Sequence, residues 1–130
     1  MKKTPPPSLT SLELALMQII WQQNDTSVED LRRQLAGAGH PLALPSVRTM
    51  LAILQRKGFV ERRLAGRAYI YNAIIAAADF QQGFVRDLLK RAFNGSATGL
   101  VTALLNGELL SRQELAQVKK MIRDFEGGKK

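Results

Sequence analysis

Apolar residues recur along the N-terminal part of the chain with the spacing of two short amphipathic helices. The first is predicted to begin after a capping box at residues 10–13 (T-S-L-E) and to extend to about Gln23. Residues 24–25 (Asn-Asp) interrupt the pattern, and a second capping box at residues 26–29 (T-S-V-E) predicts a helix that ends at Gly37 and Gly39. The inward positions are Leu12, Ala15, Leu16, Ile19 and Ile20, then Val28, Leu31 and Leu35.

The pattern changes between residues 45 and 72. Val47, Met50, Leu51 and Leu54 follow the spacing of a third helix, which starts near Pro45 and stops at residues 57–58 (Lys-Gly). Two runs rich in aromatic and β-branched residues follow at 59–63 and 68–72, and residues 64–67 suit a hairpin loop. Three helices followed by a hairpin are the order of a winged helix-turn-helix domain, whose third helix enters the major groove of DNA.

Positive charge is concentrated in this third helix and hairpin. Between residues 46 and 67 there are six cations and one anion, Glu61, a local balance of 6 − 1 = +5, and the whole chain has a formal net charge of +8. Such a surface favours a polyanionic partner, although cations on an exposed helix and hairpin also serve simply as a solvated face. The predicted DNA-binding residues are Ser46, Arg48, Thr49 and Arg56 on the helix, and Arg62, Arg63 and Arg67 on the wing.

The last third of the chain predicts three further amphipathic helices. Asp79 with Gln82, then Ser96, and finally a capping box at residues 111–114 mark their starts, and residues 127–128 (Gly-Gly) mark the last stop. About 50 residues make a poor core of their own. The apolar stripes therefore pack either against the N-terminal domain or, as we favour, against a second copy of the chain. The predicted dimer contacts are Phe84, Leu88, Leu104, Val118 and Ile122.

Composition excludes several classes of protein. There is no Cys for disulfides or thiolate metal sites, and no apolar run approaches the roughly 18 to 20 residues of a membrane span. His40 stands alone in a Gly/Pro loop without a catalytic motif, so we expect neither an enzyme nor a cofactor or metal. The prediction is a cytoplasmic protein with disordered residues 1–8, a winged-helix domain at 9–76, a helical dimerisation domain at 77–126, and a tail at 127–130.

Five segments together resemble the BlaI/MecI-type penicillinase repressors, over nearly the whole span from Leu9 to Phe125. They are L-T-S-L-E-L-A-L-M-Q-I-I-W (9–21), S-V-R-T-M-L-A-I-L-Q-R-K-G (46–58), G-R-A-Y-I-Y (66–71), F-N-G-S (93–96) and L-S-R-Q-E-L (110–115). The resemblance implies a mainly α fold with a small β-hairpin, a winged helix-turn-helix followed by a three-helix dimerisation part. It implies a homodimeric repressor of palindromic operators. A winged-helix module for protein contacts, without specific DNA binding, is the alternative.

Two departures from that family bear on how such a repressor would be switched. Penicillinase-type members are cut in the C-terminal helices at an Asn-Phe bond, and the matching position here is Ala103-Leu104. The copper-responsive branch carries Cys-x-Cys pairs, which this chain lacks, so copper sensing by thiolates is excluded. The operator, the inducing signal and any upstream sensor or protease are left open by the sequence.

Overall fold

The computed structural model describes residues 8–128, which form six helices and three short strands. In chain order these are α1 (Ser11–Gln23), β1 (Thr26–Ser27), α2 (Val28–Gly37), α3 (Leu44–Arg56), β2 (Val60–Ala65), β3 (Ala68–Ala73), α4 (Ala77–Ala92), α5 (Ala97–Asn106) and α6 (Arg112–Gly128). The order confirms the predicted winged helix-turn-helix followed by three helices. Two compact units divide between Phe84 and Val85, inside α4, whereas the predicted domain boundary lies after residue 76.

The N-terminal unit encloses one hydrophobic core between α1, α2, α3 and the sheet. Burying apolar side chains of several elements together is what holds so small a unit in one fold. Trp21 lies at the edge of this core, where its indole N–H donates to the Ile75 carbonyl oxygen at 2.8 Å. The fully buried side chains are Leu16, Met17, Ile20, Leu31, Leu35, Val47, Leu51, Leu54, Phe59 and Val60.

Local capping signals set the start of α1 as predicted, but not the start of α2. The Glu13 N–H donates to Thr10 Oγ1 at 3.1 Å and the Thr10 N–H donates to Glu13 Oε1 at 2.9 Å, which completes the capping box. The second predicted box is wrong, because Ser27 caps α2 by accepting from the Asp30 N–H at 3.2 Å. Thr26 instead belongs to β1, a strand that the sequence pattern did not predict.

The sheet is antiparallel with strand order β1-β3-β2, so the hairpin strand β3 lies in the middle. Both hairpin strands are longer than predicted, and the loop shortens from four residues to the two between Ala65 and Ala68, which pair with each other. Gly66 has a φ of 67°, a left-handed conformation that a tight two-residue turn requires and that glycine adopts without steric cost.

The C-terminal unit contains the rest of α4 together with α5 and α6. Ser96 caps α5, and residues 111–114 form the predicted capping box before α6. Two predictions are wrong here: α4 begins at Ala77, ahead of Asp79, and α6 includes both glycines of the predicted stop. The disorder predicted for residues 1–8 lies, apart from Ser8, outside the described residues, and so does the end of the predicted C-terminal tail, residues 129–130. No helix within residues 8–128 is long and apolar enough to cross a membrane.

Candidate nucleic-acid interface

One side of α3 is polar and exposed, while its other side is buried in the core. Val47, Leu51 and Leu54 are fully buried, because they share the inward stripe that the helical period brings together. The opposite side, here called the recognition face, consists of Ser46, Arg48, Thr49 and Arg56, all of which are exposed. These short polar and long cationic side chains are types that approach base edges and phosphates.

The cations of the recognition face have no ion-pair partner among residues 8–128, unlike their neighbour Lys57. Among residues 8–128, Arg48 and Arg56 form no ion pair. The Lys57 ammonium donates to Glu13 Oε1 at 2.8 Å and to the Ser8 carbonyl oxygen at 3.0 Å. Lys57 therefore joins the C-terminal end of α3 to the cap of α1, and its charge is not free for phosphate.

This buried contact perturbs the Glu13 carboxyl group. Burial raises its pKa, but the hydrogen bonds from Lys57 and the Thr10 N–H, together with the charge of Lys57, lower the pKa by more. Glu13 is therefore an ionised member of the core edge at neutral pH.

The hairpin formed by β2, β3 and their turn, here called the wing, places its first two arginines on opposite faces. Register pairs Arg62 with Tyr71 and Arg63 with Ile70, and side chains alternate between faces along a strand. The Arg62 guanidinium lies 3.9 Å from the centroid of the Tyr69 ring, a cation–π contact. Leu64, paired with Tyr69, is 62% exposed, so this face of the wing continues beyond the core as an apolar and cationic surface.

The other face of the wing holds Arg63 in a second arrangement. The Arg63 guanidinium donates to Asp25 Oδ1 at 2.9 Å, and the Asn72 amide donates to the same oxygen at 2.7 Å. Hydrogen bonds from Asn72 and Arg63 hold the pKa of Asp25 below its ordinary value. These three residues, here called the wing clamp, join the segment after α1 to both hairpin strands.

Arg67 lies in the two-residue turn at the tip of the wing. It is exposed and forms no ion pair with any residue in the described range 8–128. Thus all seven predicted DNA-binding residues are exposed, but Arg62 and Arg63 already have partners. Sequence reasoning missed Tyr69, Asp25 and Asn72; strand alternation would have placed Tyr69 near Arg62, whereas nothing local indicated Asp25.

The predicted dimer contacts lie on helices α4, α5 and α6. Phe84 and Ile122 are exposed, whereas Leu88, Leu104 and Val118 are half-buried. Phe84 packs on Phe80 in the N-terminal unit, with ring centroids 5.9 Å apart. The structure adds large exposed apolar side chains that were not in the predicted set: Val85, Val101, Leu105, Leu109, Met121 and Phe125.

The cleavage-site equivalent lies inside a helix. Ala103 is exposed and Leu104 half-buried within α5, and the Ala103 carbonyl oxygen accepts a hydrogen bond from the Gly107 N–H at 3.0 Å. The described residues contain no group of three or more His, Cys, Asp or Glu placed to hold a metal ion.

Comparison with known proteins places these features in a family. A family model described as penicillinase repressor matches residues 9–124. The penicillinase repressor of Bacillus licheniformis is 25% identical over 130 residues, which are all of this chain and 99% of that protein. The methicillin resistance regulatory protein MecI of Staphylococcus aureus strain N315 is 20% identical over 114 residues, 88% of this chain and 92% of that one.

Solved structures show the same architecture. The DNA-binding domain of the repressor BlaI matches with 26% identity and a TM-score of 0.50, over 61% of this chain and 93% of that domain. The Bacillus licheniformis BlaI monomeric form in complex with the blaP half-operator matches with the same values. A mutant MarR from E. coli complexed with operator DNA, 18% identical with a TM-score of 0.52, covers 91% of this chain and 76% of its own and shows the fold alone.

Proposed function

Since this chain belongs to the penicillinase repressor family of DNA-binding transcriptional repressors, we propose that it represses transcription as a homodimer bound to a palindromic operator. The family is one of regulators and not of enzymes. The observation that carries the proposal is the recognition face of α3, whose exposed cations have no carboxylate partner among residues 8–128. The BlaI structure in complex with a half-operator supports DNA as the partner.

Different residues are expected to make different kinds of contact. Arg48, with Ser46 and Thr49 beside it near the start of α3, is proposed to read base edges in the major groove, because an arginine fork matches the O6 and N7 acceptors of guanine. Arg56, Arg62 and Arg67 are proposed to meet phosphates, which position the protein without reading sequence. The Thr49 hydroxyl already donates to the Pro45 carbonyl oxygen at 3.0 Å, so it is free to act on DNA as an acceptor.

The C-terminal unit supports the homodimer. Within residues 85–128 no side chain is buried, although α4, α5 and α6 each carry an apolar stripe. Met121 is 66% exposed and Ile122 is 53% exposed on α6. Apolar surface of this extent is unfavourable in water, and a second copy covers it with the matching stripe of the same helices. We propose that Phe84, Leu88, Leu104, Val118 and Ile122 contribute to that shared core.

A dimer also explains why a palindrome is the expected operator. A two-fold protein places two recognition helices on two half-sites related by the same symmetry, about one helical turn or a multiple of it apart. The second half-site is bound at the high effective concentration set by the first, so dimerisation raises operator affinity although each protomer makes the same contacts to its half-site.

The test combines selection of a binding sequence with a salt titration. The purified full chain is used to select duplexes from a randomised library, and the affinity for the selected duplex is compared with that for a shuffled one over a range of salt concentrations. A repressor of the proposed kind recovers an inverted repeat and loses affinity steeply with salt, because phosphate contacts release counterions. A winged-helix module for protein contacts would enrich no sequence and bind DNA weakly at every salt concentration, which would overturn the proposal.

A further inference from the structure

Arg62 and Arg63 are adjacent in the chain, but their side chains have different partners. Arg62 lies over the Tyr69 ring and leaves its N–H donors available at the edge of the guanidinium, whereas Arg63 donates to the carboxylate of Asp25. Both members of the Arg63–Asp25 pair are more than half exposed, so solvent screens the pair and it contributes little to global stability. We expect the Arg63–Asp25 pair to affect the order of the wing instead.

The geometry of the clamp ties three chain segments through one oxygen atom. Asp25 Oδ1 accepts from Arg63 on β2 and from Asn72 on β3, at 2.9 and 2.7 Å. Asp25 stands in the short segment between α1 and β1, where Asn24 and Asp25 both have a positive φ, of 52° and 48°. Asn and Asp adopt a positive φ more readily than other non-glycine residues, which favours them in this turn.

We propose that Asp25 is a positioning residue for DNA binding, which holds the wing through Arg63 and Asn72 so that Arg62 and Arg67 meet the operator in a fixed orientation. A hairpin is only marginally ordered by its own two strands, and β1 supports β3 through only two residue pairs. The clamp adds a side-chain anchor at the side of the sheet where Arg63 and Asn72 lie. In this arrangement Arg63 acts through the wing and is not a phosphate contact. The inference rests on the proposed function.

Asp25 could instead affect DNA binding only by repelling phosphate, and this alternative role predicts a different change in affinity when the carboxylate is removed. A carboxylate beside a DNA-binding surface repels phosphate, so its removal strengthens binding if repulsion is all that it does. If Asp25 positions the wing, its removal weakens binding, because a smaller fraction of molecules has the wing in the competent orientation. The two roles therefore predict opposite signs for the same substitution.

The experiment uses the full chain, the selected duplex and the shuffled duplex. Variants Asp25→Asn, Asp25→Gly, Arg63→Ala and the double variant Asp25→Gly/Arg63→Ala are compared with Arg67→Ala, an exposed wing cation that has no ion pair among residues 8–128. Asn keeps an oxygen acceptor and suits the positive φ while removing the charge, and Gly removes the side chain without backbone strain. Amide hydrogen exchange of β2 and β3 is measured on the free proteins.

We expect Asp25→Gly and Arg63→Ala each to weaken binding to the selected duplex by about twofold to fivefold, as for loss of one exposed pair. The double variant is expected to be no weaker than either single variant, and Asp25→Asn to bind more tightly than Asp25→Gly. Arg63→Ala leaves the salt slope unchanged, whereas Arg67→Ala lowers it by about one for each half-site. Exchange in β2 and β3 rises in Asp25→Gly and Arg63→Ala alike.

Any one of three results would overturn the positioning role. They are tighter binding of both Asp25→Asn and Asp25→Gly to both duplexes, a salt slope that falls in Arg63→Ala as it does in Arg67→Ala, and unchanged exchange in β2 and β3. Failure of the proposed function can be distinguished from failure of the positioning role. In that case the unsubstituted chain would not discriminate the selected from the shuffled duplex, while the hydrogen exchange of the free variants would still report on the clamp.

Discussion

Arg48 and Arg67 lie on different elements of the candidate interface, and this difference in position decides what each substitution should do. Arg48 and Arg67 have no ion pair among residues 8–128, but one lies on the helix and the other in a hairpin turn. A helix in the major groove meets base edges, while a turn at the end of a wing meets the sugar-phosphate backbone. Although Arg48 and Arg67 carry the same charge, their substitutions are therefore expected to affect specificity unequally.

Replacing Arg48 by Ala is expected to relax discrimination at one base position of each half-site, at a cost of about 1 to 3 kcal/mol, because one bidentate contact to a base is lost. Replacing Arg67 by Ala is the matched control, since it should weaken binding to selected and shuffled duplexes about equally. Affinities for the selected duplex and its single-base variants measure both effects. An unchanged ratio of specific to nonspecific affinity in Arg48→Ala would show that Arg48 does not read a base.

Glu13 predicts how stability depends on pH. Its pKa in the folded state lies below the ordinary value of 4.5, so its ionised form contributes stability that is fully present above about pH 4.5 and is lost as the pH falls through the folded-state pKa. Glu13→Gln should therefore lower the free energy of unfolding by about 1 to 2 kcal/mol at neutral pH and flatten its decline in acid. Urea unfolding at several pH values measures this, and an equally steep acid decline in Glu13→Gln would contradict it.

Among the secondary-structure elements, β1 explains why α2 begins where it does. Pairing of Thr26 with Tyr71 and of Ser27 with Ile70 draws this segment into the sheet, so the cap of α2 moves to Ser27. The pairing buries Thr26, which is 3% exposed, and its hydroxyl finds no hydrogen-bond partner among the described residues. An unpaired buried hydroxyl is a cost that the strand pairing outweighs.

Thr26→Val should raise the free energy of unfolding by about 1 kcal/mol, since valine has nearly the same shape and no hydroxyl to leave unpaired. Thr10→Val makes the same chemical change at the cap of α1, where the hydroxyl accepts from the Glu13 N–H, and should lower stability by about 1 kcal/mol. Denaturant unfolding of both variants gives the comparison. A loss of stability in Thr26→Val would show that this hydroxyl does have a partner in solution.

Helix α5 bears on how repression is lifted. The Ala103-Leu104 bond is part of this helix and lacks the Asn-Phe pair that a penicillinase-type protease would require, so the protein is expected to stay full length when cells are exposed to a β-lactam. An immunoblot of treated cells decides this, with a penicillinase-type repressor that carries the Asn-Phe bond as the positive control. A fragment ending near Ala103 would restore proteolysis as the switch.

For the molecule as a whole, the proposed dimer separates two properties, folding of the DNA-binding unit and affinity for the operator. The N-terminal unit has a buried core of its own, whereas residues 85–128 have no buried side chain in a single chain. Disruption of the dimer should therefore leave the N-terminal fold intact and remove only the gain from binding two half-sites.

Ile122→Asp is expected to give a monomer at micromolar concentration and to weaken operator binding by about 10² to 10⁴, because a charge on the shared apolar stripe prevents its burial. Gln117→Asp, at an exposed polar position of the same helix, is the matched control and should remain dimeric. Sedimentation and titration of the selected duplex measure the two effects. A stable monomer of the unsubstituted chain at that concentration would refute the dimer itself.

Much of this protein follows from short-range patterns in the chain. The caps at Thr10, Ser96 and Ser111 were predictable because donor and acceptor lie three residues apart, and the exposed face of α3 followed from the helical period alone. The order of three helices and a hairpin, and hence the winged-helix fold, depended on the same local signals. These interactions depend on residues close in sequence, so the sequence specifies them before any packing occurs.

The remaining features depend on residues that are distant in the chain. Arg63 and Asp25 are 38 positions apart, and Lys57 and Glu13 are 44 apart, so no local pattern showed that two of the six cations between residues 46 and 67 were already paired. The strand β1 and the shift of the α2 cap likewise required β3 to lie beside Thr26. Such contacts form only when packing of the core brings separate segments together. This packing binds Lys57 and Arg63 within the fold and leaves the other cations available for the proposed contacts with DNA.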